Sequence, residues 1–288
     1  MSQRLSQRTP RTVANDWNPV RVSNPDGRSQ FVILCDHASN YIPDGFGTLG
    51  LDPDDLQKHI AWDPGALGVS QVMSRELDAA LVESCVSRLI IDCNRPLDAP
   101  DLVPSLSEAT TIPGNVDLDE SAKSQRVALS HKPYHAAIEK LADERATTGL
   151  PDPIYVAVHS YTPVYRGVTR AWHIGIIHDA DDRVAAPLIA GLQALSEFNV
   201  GINEPYSPAD RVYYTLERHA SAFGLPAVMI EILKRSDHDS SRREGVGRAA
   251  LRPSARHRTK PAFGNGGNIK EGNGKREVGA CSSQQGGI

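Results

Sequence analysis

Cysteine is scarce in this 288-residue sequence, and its four copies (Cys35, Cys85, Cys93 and Cys281) are scattered. Four in a chain this long do not make the disulfide framework of a small secreted domain. No Cys-x-x-Cys pair occurs, which excludes a thiolate zinc knuckle. No apolar run approaches the roughly 20 residues of a membrane span. The amino-terminal stretch MSQRLSQRTPRTV lacks the apolar centre of a secretory signal. Charge of one sign is missing as well: 31 Lys and Arg against 35 Asp and Glu leave a net charge of −4, so the whole molecule is no polyanion binder. What is present, 40% hydrophobic residues, is enough for a full core. The class that remains is a soluble, cytoplasmic globular protein without a membrane partner, either an enzyme or a small-molecule binder.

Three zones differ in texture. Residues 1–28 are polar and punctuated by Pro10, Pro19, Pro25 and Gly27, and read as an extended lead-in. Residues 29–233 alternate short apolar runs with helical patterns and read as the folded domain, the one expected to carry any catalysis. Residues 234–288 are basic, glycine-rich and too poor in apolar residues for a core, so they read as a disordered tail. In the middle zone, Phe31–Cys35, Arg88–Ile91, Ile154–Val158, His173–Ile177 and Ala227–Ile232 are apolar without alternation, as strands covered on both faces are. Helical spacing links Val69, Val72, Met73, Leu77, Ala80 and Leu81. Asp119 caps a long helix through Val127 and Leu141 that Pro133 breaks or kinks. Further helices run through Val184–Leu195 and Tyr213–Phe223, the last ended by Gly224 and Pro226. This alternation predicts an α/β fold, three layers α/β/α around a central mixed, largely parallel sheet.

Polar clusters follow three of the apolar runs: Asp36-His37-Ala38-Ser39-Asn40, Asp92-Cys93-Asn94-Arg95, and His159-Ser160-Tyr161. In open α/β sheets the ligand crevice lies outside the carboxyl ends of the strands, so parallel strands bring all three to one place. His37 and His159 can supply two ligands of a catalytic zinc site, which takes three protein ligands and keeps one position open. Asp63, in His59-Ile-Ala-Trp-Asp63-Pro-Gly-Ala, is the expected third; its competing role is to cap the helix that follows, and His59 is a rival ligand. No His-Glu-x-x-His is present. Glu231 stands inside the apolar run Ala227–Ile232: either a buried carboxylate with a perturbed pKa, suited to general-base work, or an exposed position on an edge strand. Asn94 and Arg95 can bind a carboxylate, Arg through its planar fork, and Arg95 is also the expected catalytic cation beside the metal that stabilises a tetrahedral oxyanion, unless it is a surface ion pair. Arg170 and Arg126 are further cations for an acidic small-molecule substrate, with Tyr161 beside them.

Taken together, CDHASNYIP, HIAWDPGA, TTIPGN, PYH at 133–135, AVHSYTPVYRG, RAWHIG, PYSPADRVYYTLERHA and GLPAVMIEI resemble the N-formylglutamate amidohydrolase family, in the same order, from about Asn24 to Ile232. VHSYT, DCNRPLD and MIEI are more distantly similar to segments of the zinc metallocarboxypeptidases. The resemblance implies a zinc-hydrolase α/β/α fold, His37 and His159 as metal ligands, Asn94 and Arg95 in substrate binding, and Glu231 as general base. It also implies hydrolysis of N-formyl-L-glutamate or a similar N-acyl amino acid. The other functions open to such a chain are a zinc carboxypeptidase or aminoacylase of different specificity, a silent relative binding an acidic metabolite or a protein, and a basic-tailed nucleic-acid binder. Two departures stand out. Asn40 occupies the place of the carboxypeptidase ligand Glu, which is why the third ligand falls to Asp63. After MIEI the family's closing amphipathic helix is replaced by glycine-rich polar sequence.

Overall fold

A computed structural model of the chain describes residues 17–234. Residues 1–16 of the lead-in, and residues 235–288 of the tail with Cys281, lie outside the described residues. In chain order the elements are β1 (Val20–Ser23), β2 (Phe31–Cys35), α1 (Ala66–Leu77), β3 (Ala80–Ser84), β4 (Leu106–Ser107), β5 (Thr110–Thr111), α2 (Glu120–Arg126), α3 (Lys132–Ala146), β6 (Ile154–Tyr161), β7 (Val164–Tyr165), β8 (Val168–Thr169), β9 (Ile174–Ile177), α4 (Ala185–Gln193), β10 (Val200–Ile202), α5 (Tyr214–His219) and β11 (Ala227–Leu233). Seven strands form one sheet in the order β1-β3-β2-β6-β11-β9-β10, while β4–β5 and β7–β8 are separate hairpins. The β3–β2, β2–β6, β6–β11 and β9–β10 pairings are parallel, and β1–β3 and β11–β9 are antiparallel. The sheet is therefore mixed and largely parallel, with helices on both faces, as the alternation of apolar runs predicts.

Side-chain alternation along each strand feeds two cores. Ile33 and Cys35 of β2 point with Val156 and Val158 of β6 towards α1 and α4, where Val69, Met73, Leu188 and Leu192 wait. Val32 and Leu34 point the other way, with Tyr155 and Ala157, onto Tyr134, Ile138 and Leu141 of α3 and Leu216 of α5. Each large aliphatic side chain buried this way contributes about 1.5–3 kcal/mol. Two-sided burial is why these strands read as unbroken apolar runs.

The predicted long helix is present, but with a bulge. Asp119 caps α2, accepting from the Ala122 amide at 2.7 Å. A π-helical turn over Val127–His131 then joins α2 to α3. Pro133 does not break the helix: it sits in the first turn of α3, where its missing N–H and fixed φ are tolerated.

Three expectations are corrected. Arg88–Ile91 is not a strand. Leu89, Ile90 and Ile91 are fully buried, but in a third cluster, against Leu49, Leu51, Leu102 and Ile112 beneath the loops. The strand beside β2 is β3, whose Ala80 and Leu81 fall in register with the preceding helical pattern. That helix stops at Leu77 because Asp78 takes the left-handed conformation (φ 54°) and caps it, with no glycine to announce the stop. The lead-in also contributes an edge strand, β1, which pairs with β3.

Candidate active site

Strands β2, β6 and β11 are neighbours running the same way, so their carboxyl ends share one edge of the sheet. His37 lies two residues past β2, His159 is in β6, and Glu231 in β11 pairs with His159 in register. The β11 position is central and Glu231 is buried, so the exposed-edge alternative fails. Across β11, Glu231 faces Gly175 of β9. A Cβ at Gly175 would lie 2.1 Å from the Glu204 carbonyl and 3.2 Å from the Glu231 Cβ, so only glycine allows this approach.

His37, Asp63 and His159 come together. Their ligand atoms lie within 4.8 Å of one another and all three residues are buried. Asp63 Oδ2 is 3.2 Å from His37 Nδ1 and 2.9 Å from His159 Nδ1. Its carboxylate does not cap α1, whose N-cap is Gly65 in the left-handed region at φ 94°. His59 stays outside the group, with Nε2 2.5 Å from the Ser160 carbonyl and 3.3 Å from Asp63 Oδ1. Asn40 bonds the Leu56 carbonyl instead.

The outer face of each imidazole is also occupied. His37 Nε2 meets Asp92 Oδ1 at 2.7 Å, and His159 Nε2 meets Asp36 Oδ2 at 2.9 Å. A buried carboxylate on one ring nitrogen fixes the proton there and leaves the other nitrogen as a ligand. Both histidines thus offer Nδ1 to the point where Asp63 Oδ2 sits. Two imidazoles and one carboxylate, oriented by outer acids, fit a divalent ion of the catalytic zinc type. Asp36 is in turn bonded by the Thr215 hydroxyl at 2.8 Å. Replacing Asp36 or Asp92 by Asn should weaken metal binding by about 10–100-fold with the fold intact; metal titration against a chelating indicator checks this, and unchanged affinity would show the outer acids are ornamental to the site.

Electrostatics follow from burial and these pairs. Burial pushes the His159 imidazole down, but its hydrogen bonds to Asp36 and Asp63 outweigh this and hold it well above the ordinary value. Burial raises Asp63, and His37 and His159 override it and hold the carboxyl well below the usual range. Glu231 has no such partner: burial dominates, His159 and His37 only partly oppose it, and its carboxyl is pushed up to about 7. Its Oε2 is buried without a hydrogen-bond partner.

A cavity of about 200 Å³ opens onto this group, lined also by Arg88, Asn94, Arg95, Tyr165, Tyr206 and the β4–β5 hairpin at Ser107 and Glu108. Arg95 gives Nε to Asp101 at 2.8 Å and Nη1 to the Asn94 carbonyl, leaving Nη2 without a partner among the described residues. Asn94 lines the cavity with its amide already bonded at both ends, Nδ2 to the Val212 carbonyl and Oδ1 from the Thr215 amide. Arg170 is not at the cavity surface. Its guanidinium packs over the rings of Tyr161, Tyr165 and Tyr206 at 4.7–5.4 Å and donates to the Tyr206 hydroxyl at 2.9 Å, so it props the cavity wall from behind. Tyr161 turns its hydroxyl to the Trp172 carbonyl. Arg126 lies elsewhere, buried over Phe46 and bonded to Asn115 Oδ1 and the Ile90 and Gly114 carbonyls. Its expected effect is structural: Arg126→Leu orphans two buried acceptors, Asn115 Oδ1 and the Ile90 carbonyl, and should cost about 2–4 kcal/mol in urea unfolding, without changing KM of the folded fraction.

Arg88 was not singled out by sequence reasoning. Placed on the misread run, it bonds Asp92 Oδ2 at 2.9 Å and Asp63 Oδ1 at 3.4 Å and borders the cavity. Its position four residues before Asp92 was the available signal. Asp36 and Asp92 stood in the polar clusters but had no assigned role, because only contacts across the sheet reveal which imidazole each one holds.

Comparison with known proteins gives the family and the fold. The family model described as N-formylglutamate amidohydrolase matches residues 29–236. The chain belongs to that family. It is thus a hydrolase of carbon–nitrogen bonds. Gene product Atu2144 from Agrobacterium tumefaciens is 38% identical, with 83% of this chain and 96% of that one covered and a TM-score of 0.78. The N-formylglutamate amidohydrolase from Ralstonia eutropha JMP134 is 15% identical, with 82% of this chain and 97% of that one covered and a TM-score of 0.56, a likeness of fold. No curated protein matches. Among the described residues of this family member, no helix is long and apolar enough to cross a membrane.

Proposed function

We propose that the cavity is a zinc-dependent amidohydrolase site that cleaves the formyl amide of N-formyl-L-glutamate, or of a closely similar N-acyl amino acid, to formate and glutamate. The observation that carries this reading is Glu231, a buried carboxylate with an unpartnered oxygen, set beside His159 at a group of donors suited to a divalent ion. His37 Nδ1, Asp63 and His159 Nδ1 would hold the ion. Bound there, zinc supplies Lewis acidity, polarising a carbonyl and lowering the pKa of water towards about 7.

The remaining work falls to the chain. Glu231 accepts a proton from the water that attacks the formyl carbon, and returns it to the departing nitrogen as the C–N bond breaks. A carboxyl pushed up to about 7 suits both transfers near neutral pH. Arg88, half-buried between Asp63 and Asp92, faces the charge that develops on the formyl oxygen. Arg95 turns its open Nη2 to a substrate carboxylate. The cavity's small volume favours a small metabolite over a peptide.

The test is release of the free amino acid by the zinc-loaded chain from N-formyl-L-glutamate, N-acetyl-L-glutamate and N-formyl-L-leucine. The first should be turned over with the highest kcat/KM. Equal rates on the leucine derivative would remove the acidic specificity, and no turnover of any of the three would remove the amidohydrolase reading.

A further inference from the structure

The π-helical turn and the first turns of α3 carry two histidines that the reaction does not use, His131 at the end of the turn and His135 in the helix. His131 and His135 are four residues apart, one turn, and both are buried. His131 Nε2 lies 2.9 Å from the Arg95 carbonyl, and His135 Nε2 lies 3.0 Å from the Cys93 carbonyl. A carbonyl oxygen only accepts, so both imidazoles carry their proton on Nε2. His135 Nδ1 is then an acceptor, and His219 Nε2 of α5 donates to it at 2.8 Å. The direction of the chain is fixed: His219 to His135 to the Cys93 carbonyl. Burial keeps the pair neutral, with His135 down at about 2 and His219 at about 4.

The residue between the two gripped carbonyls is Asn94, whose amide is held at both ends by the Val212 carbonyl and the Thr215 amide at the start of α5. Cys93-Asn94-Arg95 is thus fastened from the π-helical turn and α3 on one side and from α5 on the other. The segment has no sheet to hold it, since the run before it is not a strand. Of the three residues Asn94 and Arg95 line the cavity, and Arg95 is the one whose side chain keeps a donor, Nη2, without a partner among the described residues.

We propose that His131 and His135, with His219 behind them, are positioning residues that set the Arg95 guanidinium for the substrate carboxylate. This rests on the functional reading above. The mechanism is geometric: a charge-assisted bond to a carboxylate needs the guanidinium fork aligned, and the backbone that carries the fork is fixed by two imidazole donors.

The test uses the full zinc-loaded chain and two substitutions at each of His131 and His135. His→Gln places an amide donor where Nε2 stands, and His→Asn is too short to reach the carbonyl. His131→Asn and His135→Asn should raise KM for N-formyl-L-glutamate about tenfold, with kcat within about threefold and zinc content unchanged. The two Gln variants should bring KM back to within about threefold of the parent. In an Arg95→Ala background the Asn substitutions should add nothing to KM. The proposal is overturned if kcat falls in step with KM, if Gln fails to rescue, or if the penalty persists without Arg95. Should an Asn variant not fold, the matching Gln variant decides alone: near-parental KM supports the clamp, and a tenfold rise rejects it. If the parent protein turns nothing over, the functional reading fails and the clamp is judged by crystallography of the His131→Gln and His131→Asn chains. Arg95 in its parental position in Gln and displaced by about 1 Å or more in Asn supports it; Arg95 unmoved in both rejects it.

Discussion

Glu231→Gln is expected to lower kcat on N-formyl-L-glutamate by about 10²–10⁴-fold while zinc remains bound at one ion per chain. The amide keeps the shape of the carboxylate but has no lone pair basic enough to take a proton from water. Zinc should stay because the three donor residues are His37, Asp63 and His159, and Glu231 is not among them. Stability should not fall. Glu231 has a folded-state pKa of about 7, above the ordinary carboxylate value, because it is buried. A raised value means that ionisation opposes folding, and the opposition sets in as pH rises from the ordinary carboxylate range through about 7. Gln removes that opposition, so the Tm at pH 8 should equal or exceed the parent's. Formate release, zinc content by mass spectrometry and a thermal melt read all three, and a Gln variant with parental kcat would reject the general-base role.

The second large effect is that of His159→Ala. Loss of one of three ligands should remove bound zinc after dialysis and lower kcat/KM by about 10³-fold or more. The physical consequence extends beyond the metal. His159 bridges two buried carboxylates, Asp36 at 2.9 Å and Asp63 at 2.9 Å. Without the imidazole Asp36 keeps the Thr215 hydroxyl and Asp63 keeps His37 and Arg88, so one buried charge-assisted bond is lost at each carboxylate, at a cost of about 1.5–3 kcal/mol apiece. Urea unfolding should therefore show a lower midpoint for His159→Ala. Asn40→Ala is the contrast. That side chain bonds the Leu56 carbonyl away from the three donors, so zinc content should be unaffected. Zinc retained by His159→Ala and lost by Asn40→Ala would reverse the ligand assignment.

Much of the fold was legible because two-sided burial writes itself as unbroken apolar runs, as at Phe31–Cys35, Ile154–Val158 and Ala227–Ile232. The same rule misled at Arg88–Ile91. A run buried under loops and a run buried between helix layers have the same composition, and only partners distant in sequence tell them apart. Strand β3 was hidden for a different reason. Asp78 ends the helix in a conformation usually left to glycine or asparagine, so Ala80 and Leu81 continue the helical spacing without a visible break.

In the site, the donors were legible where a titratable residue follows a strand, as His37 does, or stands near its carboxyl end, as His159 does. The arginines were less so, because what an arginine binds depends on which acceptors the loops bring to it. Arg126 meets three internal acceptors and Arg170 meets three tyrosines. Arg88 had no reason to stand out until Asp63 and Asp92 were found at its guanidinium.

The central claim is that two imidazoles, each steered by a buried acid on its Nε2, offer Nδ1 to a shared ion with Asp63. A crystal structure of the zinc-soaked chain, with anomalous difference density collected across the zinc edge, tests it most directly. The account predicts one peak about 2.0–2.2 Å from His37 Nδ1, Asp63 and His159 Nδ1, with the Glu231 carboxylate near but not bound to it. A peak ligated through Nε2 of either histidine, or one seated on the His131, His135 and His219 cluster with the first group empty, would contradict it.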